Sequence, residues 1–120
     1  MIELDTKYVF HIPTYKYENN ELFLLNIDKL IKDLIKQFEE KGYESLYMTK
    51  VTGYYNSRSF DEILITLFIS HEDTENNNRT SPDKIFRKWY KENNDLLQQE
   101  AFAYEKNNTM YVEKIGKKEN

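Results

Sequence analysis

The chain carries two histidines, His11 and His71, and neither falls in a spacing such as H-E-x-x-H that would set two ligands on one helical face. His71-Glu72-Asp73 with Glu75 offers carboxylate oxygens to a hard cation, but the run lacks the alternating Asp/Asn pattern and the glycine of a calcium loop. It reads as a solvated acidic loop, and no metal site is expected. His11 is the candidate acid/base, because it lies in an apolar run, Tyr8-Val9-Phe10-His11-Ile12, on the face opposite Tyr8, Phe10 and Ile12. The competing reading is a partly buried histidine hydrogen-bonded to a neighbouring strand or tyrosine. Candidate binding residues are Arg58, which with Glu62 flanks a turn and would orient an anionic ligand, and Tyr47 and Tyr55, which with Tyr54 would form a stacking or contact surface. Half-buried sheet tyrosines account for the ten tyrosines equally well.

Several chemistries are removed at once. Without cysteine there is no disulfide, thiolate metal site or cysteine nucleophile. No G-x-G-x-x-G or Walker-type loop is present, and three glycines are too few for an obvious phosphate cradle, so no cofactor is expected. A net charge of −4 works against phosphate backbones. The run Asp61-Glu62-Ile63-Leu64-Ile65-Thr66-Leu67-Phe68 also lacks the string by which RNA-recognition domains stack bases, which disfavours nucleic acid as a partner. No stretch approaches the ~20 apolar residues of a membrane span, and the first residues have neither a basic nor an apolar leader region. A cytoplasmic protein with no membrane contact is expected.

The elements that would position these residues are set by periodicity. A length of 120 residues suits one domain, with a core over 7–115 and a charged tail over 116–120. The first strand spans 8–12 and stops at Pro13. Asn19 and Asn20 offer N-cap oxygens, and from Glu21 onward Phe23, Ile27, Leu30, Ile31, Leu34, Ile35 and Phe38 recur at helical spacing until Gly42. A second strand over 46–55 and a third over 63–69 flank the turn Asn56-Ser57-Arg58-Ser59. The polar stretch from His71 to Thr80 reads as a mobile loop. Ser81 and Pro82 open a second helix, expected to run to about Lys106, and Thr109 to Ile115 closes as a strand. A rival reading makes 101–106 and 109–115 a hairpin. The twelve asparagines and the preference for lysine over arginine read as the imprint of an AT-rich genome.

The resulting order, β-α-β-β-α-β, resembles the ferredoxin-like split β-α-β topology: an α+β fold, with an antiparallel four-stranded sheet and two helices on one face. Gly42-Tyr43, Gly53, and Ala103-Tyr104-Glu105-Lys106 leading into Thr109-Met110-Tyr111-Val112 are similar to a group of small uncharacterised ferredoxin-like domains of bacteria and archaea. That resemblance implies a fold and no catalytic residues. With no catalytic constellation and an aromatic-rich, two-faced sheet, the expected function is a binding or assembly module with a possible protein partner. The alternative is a small enzyme of the dimeric α+β-barrel type acting on an apolar ligand, with His11 as acid/base. Ile63, Ile65, Leu67 and Ile69 alternate with Leu64, Thr66 and Phe68, so both faces of that strand are apolar, and a homodimer through the open sheet face is expected.

Overall fold

In strand β1 (Thr6–Pro13) Thr6, Tyr8, Phe10 and Ile12 are buried on one face, while on the other Lys7 and His11 are half-buried and Val9 between them is buried. The computed structural model describes residues 1–115, so the expected charged tail at 116–120 lies outside the described residues. Against β1 runs β5 (Arg58–Ile69), antiparallel, with Phe10 opposite Ile65 and His11 opposite Leu64. On its far side β5 pairs with β4 (Leu46–Tyr55) through the Asn56-Ser57 turn. The other edge of β1 pairs with β6 (Ala101–Lys106), which in turn pairs with β7 (Thr109–Lys114). The sheet order is β4-β5-β1-β6-β7, so β1 is central and His11 stands in the middle of the sheet.

Two helices cover the Phe10 face. In α1 (Asp28–Glu40) Ile31, Leu34 and Phe38 point inward, and in α3 (Pro82–Leu97) Ile85, Phe86, Trp89, Tyr90 and Leu97 do. Phe10 is the hinge of an aromatic core, with ring centroids 5.3 Å from Phe38, 4.6 Å from Phe86 and 5.9 Å from Tyr104. Trp89, fully buried, donates its indole N–H to the Leu30 carbonyl at 3.0 Å and so ties the two helices together. Gly42 closes α1 at φ +95°, and a Cβ there would also meet the Arg79 side chain at 2.6 Å. No described helix is long and apolar enough to cross a membrane.

Three expectations are corrected. Helix α1 begins at Asp28, because residues 15–24 instead form a separate hairpin, β2 (Tyr15–Glu18) with β3 (Glu21–Leu24). Asn19 and Asn20 are its turn, at φ 53° and 62°, and not a helix cap. The stretch expected as a loop contains a short helix, α2 (His71–Asn76), capped where Ser70 Oγ accepts from the Asp73 N–H at 3.2 Å and braced by Arg79 against Asp73. Helix α3 stops at Leu97, where Gln98 turns left-handed at φ 50°. Beyond Gln98 the chain forms the hairpin β6–β7, the rival reading, with Phe102 and Tyr104 buried at strand period and not at helical period. The described fold is therefore mixed α+β, with three helices, a five-stranded antiparallel sheet and a separate two-stranded one, in place of the simpler four-stranded plan.

Candidate functional site

The uncovered face of the sheet carries Val9 and His11 from β1, Glu62, Leu64, Thr66 and Phe68 from β5, and Ala103 and Glu105 from β6. Register decides what His11 meets. Glu62 sits opposite Pro13 and Glu105 opposite Val9, two residues to either side of His11, so each carboxylate reaches it along a diagonal from a different neighbouring strand. His11 Nδ1 lies 2.9 Å from Glu62 Oε1, and Nε2 lies 2.9 Å from Glu105 Oε2. Carboxylates only accept, so both bonds form together only when both ring nitrogens carry hydrogen, which is the imidazolium. The bond to Glu62 raises the basicity of His11 above that of a free imidazole, with burial opposing and Glu105 reinforcing. With His11 charged, the three groups together carry one net negative charge on the open face.

Glu62 belongs at the same time to a cleft of about 370 Å³ between the β2–β3 hairpin and the tip of β4–β5. Its walls include Tyr15, Tyr17, Tyr54 and Phe60, with Asp61 beside Glu62. Hydrogen bonds and a ring contact fasten the walls other than Tyr54, which is exposed. Arg58 Nη1 donates to the Tyr17 hydroxyl at 2.8 Å, Thr14 Oγ1 donates to the Asp61 carbonyl, and Gln99 Nε2 donates to the Tyr15 carbonyl at 2.9 Å. Tyr15 meets Phe60 edge-on at 6.5 Å. The volume is in the range of small-ligand sites, and rings with the Glu62 carboxylate make it fit for a flat, cationic molecule. A larger cleft of about 720 Å³ lies at the start of α3, but its lining mixes Arg79, Lys84 and Lys106 with Glu75 and Asp83, and its aromatic surface is Tyr8 alone.

The expected site residues divide accordingly. His11 is placed on the open face as strand alternation requires, although the cleft is lined by its partner Glu62 and not by His11 itself. Arg58 does not line the cleft but donates to Tyr17, which does. Tyr47 is exposed on edge strand β4, opposite Thr66, away from the cleft lining. The side chain of Tyr55 lies outside the described residues. His71 is on α2, its Nε2 3.0 Å from Glu75 Oε1, and among the described residues no group of three or more histidine, aspartate and glutamate side chains is placed to hold a metal ion. Glu105, Tyr15, Tyr17 and Phe60 are not singled out by the sequence; a two-residue turn read from Asn19-Asn20 would bring Tyr15 and Tyr17 into view.

No family model matches the chain, and no curated protein matches it. Solved structures do. A phage SAM lyase in its apo state is similar over 99% of this chain and 98% of its own, with a TM-score of 0.61 at 15% identity. A phage SAM lyase in complex with S-methyl-5'-thioadenosine is similar over 92% of this chain and 89% of its own, with a TM-score of 0.52 at 13% identity. These likenesses are of fold, end to end. They correct the expectation of a non-catalytic binding module, which rests on the lack of a recognisable catalytic motif: this architecture is one on which an enzyme is built.

Proposed function

We propose that the protein is a small enzyme acting on S-adenosylmethionine or a closely related adenosyl sulfonium, with the cleft beside Glu62 as its site. The observation that carries this reading is the pairing of aromatic rings with the Glu62–His11–Glu105 cluster, supported by the full-length likeness to SAM lyase. Tyr15, Tyr17, Tyr54 and Phe60 give π-faces for an adenine, and carboxylates complement a sulfonium. Release of a methylthioadenosine from such a substrate breaks the bond between sulfur and the γ-carbon of the methionyl chain, and the bonding pair stays on sulfur as a neutral thioether. The γ-carbon is satisfied within the substrate by closure of its own carboxylate, so no water is added and no base is required. Charge on sulfur disappears along this path. A site negative at the sulfonium therefore favours substrate over product and helps the thioether leave, while rate must come from holding the chain in a reactive conformation.

The strand set β4, β5, β1, β6 with α1 and α3 is, on this reading, a ferredoxin-like core elaborated by β7 and by the β2–β3 hairpin, the latter forming one wall of the cleft. Tyr47, Phe68, Met110 and Val112 are exposed on the open face, which supports association of two copies there. Equilibrium binding of S-methyl-5'-thioadenosine tests the site. Binding that is lost on Phe60→Ala and kept on Tyr47→Ala supports it; binding indifferent to Phe60 places the ligand elsewhere.

A further inference from the structure

His11 has no ring nitrogen left over for a proton transfer, since one is bound by Glu62 and the other by Glu105. Its side chain is 16% exposed, against 34% for Glu62 and 31% for Glu105. The histidine is thus the enclosed member of the cluster, and the carboxylates are the members that reach solvent. Left to themselves, two carboxylates on the same sheet face would repel and swing outward, and among the described residues His11 is the side chain that holds Glu62 over the cleft. An imidazolium between them removes the repulsion and fixes both. The raised basicity of His11 favours that charged bridge.

We infer that His11 is a positioning residue: it bridges Glu62 and Glu105 so that Glu62 is held at the cleft as an anion, and the site thereby selects a cationic centre at the position of sulfur over a neutral thioether. The inference rests on the proposed adenosyl-sulfonium site and extends it to specificity. Glu105, which does not line the cleft, acts on it only through His11.

The test compares two ligands that are not cleaved: sinefungin, an S-adenosylmethionine analogue with an ammonium-bearing carbon in place of the sulfonium, and neutral S-adenosylhomocysteine. The wild-type protein is expected to prefer sinefungin by about tenfold or more in Kd. His11→Phe, which keeps a ring and removes both bonds, should bring the ratio close to one, with sinefungin weakened far more than S-methyl-5'-thioadenosine. Glu105→Gln should also lower the ratio, and should add nothing in the His11→Phe background. Selectivity unchanged or increased in His11→Phe, or additive loss in the double variant, overturns the bridge. Failure of the wild-type protein to bind any of the three adenosyl ligands instead overturns the proposed function. Where His11→Phe does not fold, Glu105→Gln and the imidazole nitrogen shifts of the wild-type protein decide. Both ring nitrogens protonated at neutral pH support the bridge, and a single-proton tautomer overturns it.

Discussion

At His11 burial opposes the charged form and two carboxylates favour it, and the carboxylates prevail, so its basicity is raised on folding. A group whose pKa is higher in the folded state stabilises the fold fully below its unfolded value near 6.5, and that contribution is lost as pH rises through the folded value. Urea unfolding of the wild-type protein between about pH 6 and pH 9 should therefore show a loss that is absent from His11→Phe. Parallel profiles for the two proteins would show that His11 does not bind its proton more tightly when folded. The facing of His11 is legible from strand alternation alone. Its partners are not, because Glu62 and Glu105 come from strands remote in sequence, and helical spacing carried past Leu97 places Glu105 on a helix that ends before it.

Turn chemistry is the strongest signal among the elements that hydrophobic periodicity passes over. Asn19-Asn20, Asn56-Ser57 and Asn107-Asn108 all have positive φ, between 49° and 69°, and each closes a two-residue hairpin. Left-handed backbone favours glycine or asparagine, so in a chain with three glycines the asparagines have a structural job beyond genome composition. Ser57 is the least suited of the six. Ser57→Gly should raise stability by about 0.5 kcal/mol and Ser57→Val lower it by at least as much, measured by denaturant midpoint. An increase with valine would contradict the turn geometry. Helical stripes are legible in Ile31, Leu34 and Phe38 and in Ile85, Phe86 and Trp89. The second stripe runs on in the sequence through Ala101 and Tyr104, four and seven residues beyond Leu97 and so at helical spacing, and only the left-handed Gln98 marks where helix gives way to strand. At Trp89, which joins α3 to α1, truncation to alanine should cost about 3–5 kcal/mol. A loss below about 1 kcal/mol would contradict its central packing.

On the scale of the whole molecule the two faces of β5 have different fates. Ile63, Ile65 and Leu67 are buried under the helices, whereas Phe68 is 41% exposed on the open face beside half-buried Leu64. Charging the first set, as in Ile65→Asp or Leu67→Asp, should therefore unfold the protein. Phe68→Asp instead tests the proposed homodimer: light scattering should find twice 14.6 kDa for the wild-type protein and a folded monomer with unchanged helix content for the variant. A wild-type monomer at micromolar concentration would end the dimer proposal and leave the cleft reading intact. The central claim, an enzyme acting on an adenosyl sulfonium, is tested most directly by incubating the protein with S-adenosylmethionine and following both carbon fragments by mass spectrometry. The account predicts protein-dependent release of S-methyl-5'-thioadenosine with a four-carbon amino-acid fragment in equal amount, strongly reduced in Glu62→Gln; no release above the buffer control, or release unaffected by Glu62→Gln, would contradict it.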